Sequence, residues 1–465
     1  MPMKYLPEED TIVALSSPLG KGAIAVIRVS GKDALGVVNP LLKKKLGGET
    51  VRVAQFNEIF RPADSDPIDQ VVTTYYKAPH SYTGEDLIEI SCHCNPLIID
   101  AIIGEIIHQG ARMAQPGEFT FRAFMNGKMN LSQAEAVAEV INARTRQSLS
   151  QSIRHLEGKL SDRIQSIRNE ILDYLSLIEI SLDFSDEDIE IMPLETLAEK
   201  IRHTLTQLLQ LLHTYDYGRL LQEGIKLLIL GKPNVGKSSL LNALLQRERA
   251  IVSDIPGTTR DYIEASLEID GLLVQAVDTA GIRSTEDQVE AIGVERALEQ
   301  LHTTDVGLCL FEAHRELTGD DEALLQIIEA HRQELLFIIV ANKIDLGKHP
   351  STMKRLNALE LPVVEVSALN HLGMEALKSA IRSRLITDES LESEEVVVTS
   401  ARHKTALEKT ITALNHALEA IEQHSTEEII AVELRVALDH LGEITGETTT
   451  EDVLNHIFAN FCIGK

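Results

Sequence analysis

Two hydrophobic periods share this chain, and the places where one gives way to the other divide it. Residues 11–15 and 23–29 are short β-rich runs separated by Ser16-Ser17-Pro18-Leu19-Gly20-Lys21-Gly22, a turn-forming stretch. Residues 71–76 and 87–90 predict further strands, and 97–109 is apolar enough for a buried helix. The segment up to about residue 128 is therefore α+β. From Leu131 apolar residues recur at three- and four-residue steps through Val137, Val140 and Ile141, with Ser132 and Glu135 as a capping box. Helical character runs to about residue 182, is broken by the acidic run 183–190, and resumes over 194–221. Strand-like runs return at 225–230, 262–269, 272–277, 336–340 and 363–366, with Asp270-Gly271 as a hairpin turn between the second and third. Residues 401–423 and 427–441 are helical again, and Thr448 with Glu451 predicts a capping box before a last helix. The economical organisation is one helical domain split by an inserted α/β module, its halves packing together. The acidic run has enough carboxylates to hold a cation, but a solvated loop between helices is the stronger reading of it.

Composition narrows the class. A chain of 465 residues exceeds one ordinary core, so about two to four domains are expected. Apolar residues make up 44%, ample for burial. Residues 1–10 hold one Lys, two Pro and three acids without an apolar core, unlike a secretory signal. The longest apolar runs, such as 335–340, suit a buried strand and are far too short to span a bilayer. Four cysteines (Cys92, Cys94, Cys309, Cys462) without a framework spacing fit a reducing cytoplasm, so a cytoplasmic location and no membrane partner are expected. The net charge of −27 excludes the ordinary protein that tracks a nucleic-acid backbone by a basic stripe. Any nucleic acid would be held by a local patch or a basic partner.

The chemistry is concentrated in four stations that follow in order. Gly231-Lys232-Pro233-Asn234-Val235-Gly236-Lys237-Ser238 is a complete G-x-x-x-x-G-K-S phosphate loop, preceded by the apolar run 225–230 and followed by helical residues 239–245. There, backbone N–H groups and a helix N-terminus cradle phosphate, Lys237 reaches the β- and γ-phosphates, and the Ser238 hydroxyl ligands magnesium. Asp278-Thr279-Ala280-Gly281 follows; Asp278 would hold magnesium through its water shell, and the Gly281 N–H would report the γ-phosphate. Asn342-Lys343-Ile344-Asp345 then supplies a carboxylate, Asp345, that can accept from guanine N1 and the exocyclic amine, a pair of donors adenine lacks. Ser367-Ala368-Leu369 completes the base pocket. The ordered set points to GTP binding and hydrolysis. Ile282 occupies the position where many small GTPases place a water-orienting Gln, so another residue must align the water. Arg260 and Arg283 are nearby candidates for a charge-neutralising arginine, a role worth about 10³–10⁵ in rate.

The whole chain resembles the MnmE (TrmE) family of bacterial tRNA modification GTPases, within the TrmE-Era-EngA-like P-loop GTPases. The likeness is carried by Thr11-Ile12-Val13-Ala14, Val26-Ile27-Arg28-Val29-Ser30-Gly31, Tyr82-Thr83-Gly84-Glu85-Asp86, Pro116-Gly117-Glu118-Phe119-Thr120 and Arg122-Ala123-Phe124. It continues in the switch segment Asp254-Ile255-Pro256-Gly257-Thr258-Thr259-Arg260-Asp261 and the terminal Phe461-Cys462-Ile463-Gly464-Lys465. The resemblance implies a multidomain α+β and α/β protein. Its parts would be a folate-binding, dimerising N-terminal α+β domain (1–128), a discontinuous helical bundle (129–222 and 385–465), and an inserted doubly wound P-loop GTPase domain (223–384).

The same resemblance implies how the site works. GTP would be bound by Asn234, Val235, Gly236, Lys237, Ser238, Ser239, by Ser253, Asp254, Ile255, Pro256, Gly257, Thr258, Thr259, by Asp278, Thr279, Ala280, Gly281, and by Asn342, Lys343, Asp345, Ser367 and Ala368. Two G domains would face each other across a homodimer, with potassium on Asn234, Ser253, Ile255 and Thr258 where an arginine finger would otherwise act. Magnesium would sit on Ser238 and Thr259, and Glu290 would orient the water, making Glu290, Lys237, Thr259 and Gly281 the catalytic set. Arg28, Glu89, Lys128 and Lys465 would bind a 5-formyl- or 5,10-methylene-tetrahydrofolate. With MnmG (GidA), in a heterotetramer that holds tRNA largely through that FAD- and NADH-using partner, the family adds an aminomethyl or carboxymethylaminomethyl group to C5 of wobble uridine.

Some residues keep two readings. Cys462 is a nucleophile for an activated pyrimidine or a buried structural thiol. Cys92-His93-Cys94 lacks the spacing and fourth ligand of a metal site, and stands where the family has glycines around the His. A rival for the whole chain is a ribosome-assembly or tRNA-binding GTPase scaffold without folate chemistry, which the four GTPase stations alone do not separate.

Overall fold

The computed structural model of the chain describes residues 10–18, 20, 22–63, 66–183, 193–247, 263–277, 304–386, 395–459, 461 and 463–464. Its packing forms two units: Met1–Ala138 with His155–Leu205 and Ala406–Lys465, and Glu139–Arg154 with Thr206–Thr405.

In the first unit, strands β1 (Ile12–Leu15), β2 (Ile24–Ser30), β3 (Gln55–Phe60), β4 (Pro67–Tyr76), β5 (Leu87–His93) and β6 (Arg112–Met113) form one sheet in the order β3-β4-β5-β2-β1-β6. All neighbours are antiparallel except β1 and β6. Helix Pro96–His108 presents Ile99, Ile102 and Ile106 at helical spacing to Ile27, Val29, Ile88 and Ile90 on one sheet face. Because side chains alternate along a strand, the residues between these, Arg28 and Glu89, stand on the opposite face, and the register pairs them directly. Strand β3 escapes the hydrophobic pattern because only Ile59 of its two buried positions is apolar; the other is Asn57, whose amide exchanges hydrogen bonds with Lys44 N (2.9 Å) and Lys44 O (2.7 Å).

The long helical stretch is three helices, Leu131–Asn142, Arg146–Leu156 and Lys159–Asp183, and the expected 194–221 helix is two, Leu194–His213 and Tyr215–Glu223. The first capping box is shifted two residues. The Asn130 side chain accepts from Gln133 N (3.0 Å) while the Gln133 side chain accepts from Asn130 N (3.1 Å). Ser132 is instead buried, its hydroxyl shared with Ser161 (2.8 Å) and Asn130. The second box is not formed as expected either: Thr448 donates to Asp439 O (2.6 Å), and helix Glu451–Ala459 begins with the predicted N3 acid at its first position.

Helix Lys159–Asp183 packs against Glu427–Thr445, which runs the other way, so that Glu179 meets Arg435 (2.6 Å) and Arg168 meets Glu447 (2.9 Å). The last helix inserts Phe458 between Phe121 (5.3 Å, edge-on) and Phe461 (5.4 Å). Beyond it, Ile463 bridges Pro116 and Ser16 Oγ donates to Gly464 O (3.0 Å), which seats the chain end beside β1.

The second unit is built on β7 (Ile225–Leu230), β8 (Ile263–Ile269), β9 (Leu272–Val277), β10 (Val306–Glu312), β11 (Leu336–Asn342) and β12 (Val363–Glu365), in the order β12-β11-β10-β7-β9-β8. Only β8 is antiparallel. Both faces are covered, and the period of two sorts each strand between two cores. Leu227, Ile229, Leu308, Leu310, Ile338 and Val340 enter one; Leu228, Leu230, Cys309, Phe311, Phe337 and Ile339 enter the other. That is why these strands read as continuous apolar runs. Asp270 and Gly271 both have positive φ (48° and 87°), the tight hairpin the dipeptide predicts. The chain leaves this sheet and comes back to its own point of entry: Val398 N donates to Thr214 Oγ1 (2.9 Å) across 184 residues. Among the described residues no helix is long and apolar enough to cross a membrane.

Candidate functional site

Strand β7 ends at Leu230, and the phosphate loop crosses to helix Lys237–Arg247, whose first residues are Lys237, Ser238 and Ser239. A helix N-terminus carries unpaired N–H groups and a partial positive charge, the physical basis of the anion site that the sequence suggests here. Val235 is buried beneath the loop and Asn234 is exposed at its crest in the left-handed region (φ 59°). Lys237 arches its ammonium over the loop, donating to Gly231 O (2.7 Å) and Lys232 O (3.0 Å).

The base motif is fastened to this loop by two of its own residues. Asn342, buried at the end of β11, donates to Val235 O (2.8 Å) and accepts from Ala368 N (3.1 Å), so one amide holds the phosphate loop and the last station together. Lys343 donates to Asn234 O (2.7 Å). Gly236 is required here twice over: its φ is +106°, and a Cβ would lie 2.3 Å from Asn342 Nδ2. Ser367 and Ala368 are buried beneath the pocket. Asp345, in the short turn Ile344–Leu346, is open to solvent, so the burial that makes its two acceptors selective has to come from the base itself. Ser253, Asp254, Ile255, Pro256, Gly257, Thr258, Thr259, Asp278, Thr279, Ala280, Gly281 and Glu290 lie outside the described residues, as do Arg260, Ile282, Arg283, Cys462 and Lys465.

A second polar site lies on the other face of the first unit's sheet, beside the small core formed by Ile12, Ala14, Ala114 and Phe119. Arg28 Nε and Nη2 both reach Glu89 Oε1 at 2.8 Å, and Tyr76 donates to Glu89 Oε2 (3.4 Å). The Arg28 guanidinium stands 5.3 Å over the Tyr82 ring, and Tyr82 is anchored through Thr120 (2.8 Å). Lys128 donates to Pro79 O (3.0 Å) and lays its stem against Gly84, so Arg28, Glu89 and Lys128 are all tied to the loop carrying Tyr82. Among the described residues Arg28 Nη1 is buried without a hydrogen-bond partner, a donor still to be satisfied. A pterin edge and a carboxylate tail are chemically suited to such a set. The seated Gly464 is the described residue next to Lys465.

Under this loop lies an ionic network centred on two buried residues, Arg122 and Glu118. Arg122 reaches Asp10 (2.6 Å), Glu118 (2.9 Å) and Glu85 (3.2 Å), while Arg112 binds Asp10 and Glu118 (2.6 Å). Burial alone would raise the Glu118 carboxyl; the Arg112 hydrogen bonds, the Gln115 N–H and both guanidinium charges outweigh it and hold the group below its ordinary range. Asp10 is lowered in the same way, burial opposed by Arg112 and Arg122. The Cys92 thiol is pushed up to about 11 by burial, then by Asp69, whose carboxylate binds His93 (2.7 Å). Among the described residues no group of three or more His, Cys, Asp or Glu is placed to hold a metal.

Four residues here were not foreseen: Tyr76 and Tyr82 around Arg28, and Lys232 and Glu312 beside the phosphate loop. Glu312 had one visible signal, an acid closing the otherwise apolar run 306–311.

The family model for the MnmE helical domain matches residues 131–462, and that for the GTP-binding protein TrmE N-terminus matches 11–128. The tRNA modification GTPase MnmE of Carboxydothermus hydrogenoformans is 41% identical over 463 residues, covering 98% of this chain and 100% of the relative. That of Aquifex aeolicus is 42% identical over 457 residues, with the same coverage of 98% and 100%. With a phosphate loop pinned to an N-K-x-D base motif, an N-terminal polar site, and identity of this order along nearly its entire length, the chain belongs to the MnmE family of tRNA modification GTPases.

Proposed function

We propose that this chain hydrolyses GTP and couples the hydrolysis to modification of C5 in the wobble uridine of certain tRNAs, as a homodimer working with MnmG and a folate-borne one-carbon unit. The observation that carries the GTPase part is the Asn342 side chain, which joins Val235 of the phosphate loop to Ala368 of the base pocket. Phosphate grip and guanine reading are thereby one rigid object. The division into 1–128, 129–222, 223–384 and 385–465 belongs to the same proposal; the joint between Thr214 and Val398 supports an insertion.

Ser238, exposed at the first turn of its helix, and Thr259 would hold magnesium, for which hydroxyl oxygens are suitable hard donors. Asn234, exposed on the loop crest, would join Ser253, Ile255 and Thr258 around potassium; neutral oxygen donors suit a monovalent ion. A fixed positive charge there stabilises the negative charge that develops on the bridging oxygen. Glu290 would orient the attacking water through a bridging water, the task Ile282 lacks the polarity to perform. Arg28, Glu89 and Lys128 of the N-terminal domain, with Lys465 from the other end of the chain, would bind the folate, which supplies the one-carbon unit. The unsatisfied Arg28 Nη1 supports that assignment.

Replacing potassium by sodium at constant ionic strength should remove most GTP turnover, and unchanged turnover rejects the cation part. Mass analysis of wobble nucleosides from cells lacking the protein, restored with Asp278→Ala or Lys465→Ala, tests the pathway part. Fully modified uridine in both strains rejects it.

A further inference from the structure

Glu312 is the last residue of β10, and the parallel register sets it directly beside Asn342. Its carboxylate is buried and lies between two ammonium groups from different loops. One oxygen binds Lys343 of the base motif; the other faces Lys232 of the phosphate loop at 3.5 Å. Lys232 is held from its far side by Asp321 (2.7 Å), a nearly inaccessible acid that also accepts from Thr318 N and Thr318 Oγ1 (both 2.8 Å). Lys343 in turn donates to Asn234 O, so the bridge closes back on the phosphate loop.

We propose that Glu312 is a positioning residue of the nucleotide site: its carboxylate locks the guanine-reading loop and the phosphate loop into one register through Lys343 and Lys232. The inference rests on the reading of this site as a GTP site. Charge balance favours it. Two buried or half-buried ammonium groups meet two acids, and removing the shared acid leaves Lys343 with no carboxylate among the described residues while Lys232 keeps Asp321. Burial acts to raise the Glu312 carboxyl, but Lys343, then Lys232 and Arg315, hold it below its ordinary range, so the bridge is ionised at working pH. Lys343 also sits in the left-handed region (φ 62°), a conformation its surroundings must enforce.

The test measures Kd for GDP and for inosine diphosphate, which lacks the exocyclic amine, on the full-length chain and its variants. Glu312→Gln is expected to weaken GDP binding about tenfold or more, the scale of a charged hydrogen bond, and to narrow the preference for GDP over inosine diphosphate. Glu312→Asp should recover most of the affinity. A Glu312→Gln protein with GDP affinity and base preference unchanged overturns the proposal, even if it melts earlier. Lys232→Met breaks the same bridge from the phosphate-loop side and serves if Glu312→Gln does not fold. About a threefold or larger loss is expected, and an unchanged Kd overturns the bridge. A natural chain that binds no GDP overturns the GTP reading itself, whereas a natural chain that binds and variants that match it reject Glu312 alone.

Discussion

Replacing Gly236 by Ala separates the two demands the phosphate loop makes on that position. The first is conformational: at φ +106° an L-residue is strained by about 1–2 kcal/mol. This strain is present with or without nucleotide and therefore lowers stability, by about 2–8 °C in the melting of a domain of this size. The second is steric. The new Cβ would lie 2.3 Å from Asn342 Nδ2, so Asn342 must swing away and release both Val235 O and Ala368 N. Two buried hydrogen bonds at about 1 kcal/mol each amount to roughly a 30-fold loss of GDP affinity. The control is Gly110→Ala, where φ is +111° but nothing lies within 4 Å of the new Cβ. It should lower the melting temperature of its own domain and leave GDP affinity alone. Titration with a fluorescent GDP and a thermal melt on both variants decide the matter. A Gly236→Ala protein that binds GDP within about threefold of the natural chain refutes the idea that Asn342 couples the two loops.

Three further outcomes follow from the same geometry. Asp345→Asn should weaken GDP binding by about 10² or more while improving binding of xanthosine diphosphate, whose C2 oxygen accepts from an amide; competition titration of the two nucleotides shows it. Arg28→Met should weaken binding of 5-formyl-tetrahydrofolate about tenfold or more in calorimetry, because it removes the guanidinium held by Glu89, and should leave GDP affinity unchanged. Glu118→Gln should destabilise the first unit by about 3 kcal/mol, since it leaves two guanidinium groups short of a buried acid. In the natural chain the Glu118 and Asp10 carboxyls are both lowered on folding, so their stabilisation is complete above pH about 4.5 and is lost as pH falls through the lowered values. An acid melt should show this loss, and the Glu118→Gln protein should show a shallower dependence over that window.

What could be read from the sequence divides along one physical line, between chemistry carried by contiguous backbone and chemistry assembled across it. The phosphate loop is the first kind. Its glycines, lysine and serine act on one ligand from eight consecutive residues, and the flanking strand and helix fall where the apolar pattern sets them. The Asp270-Gly271 turn is likewise local, and its two positive φ values are the reason those residue types are there. Helix starts were less legible because cap-forming residues compete. Asn130, Ser132, Thr448 and Thr450 all have side chains able to cap, and what decides is a tertiary neighbour. Ser161 takes the Ser132 hydroxyl and Asp439 O takes that of Thr448, which leaves Asn130 with Gln133 to close the first helix.

The Arg28–Glu89 pair belongs wholly to the second kind: 61 residues apart, its members meet only because β2 and β5 align in one register, and nothing in either strand's own pattern marks them. Family resemblance supplied those positions where periodicity had no means to. Glu312 is the sharper case. An acid at the end of a buried strand conflicts with the hydrophobic pattern, and such a conflict persists only when something answers the charge. Here the answer comes from Lys343, 31 residues on, and from Lys232, 80 residues back, each in a loop whose motif already has another task. The acid that the pattern does not explain therefore sits at the contact between the two motifs that it does. For a nucleotide site spread over several loops, a charged residue ending an apolar strand deserves the same scrutiny as the motifs themselves, because the alignment between those motifs is the property that no single motif encodes.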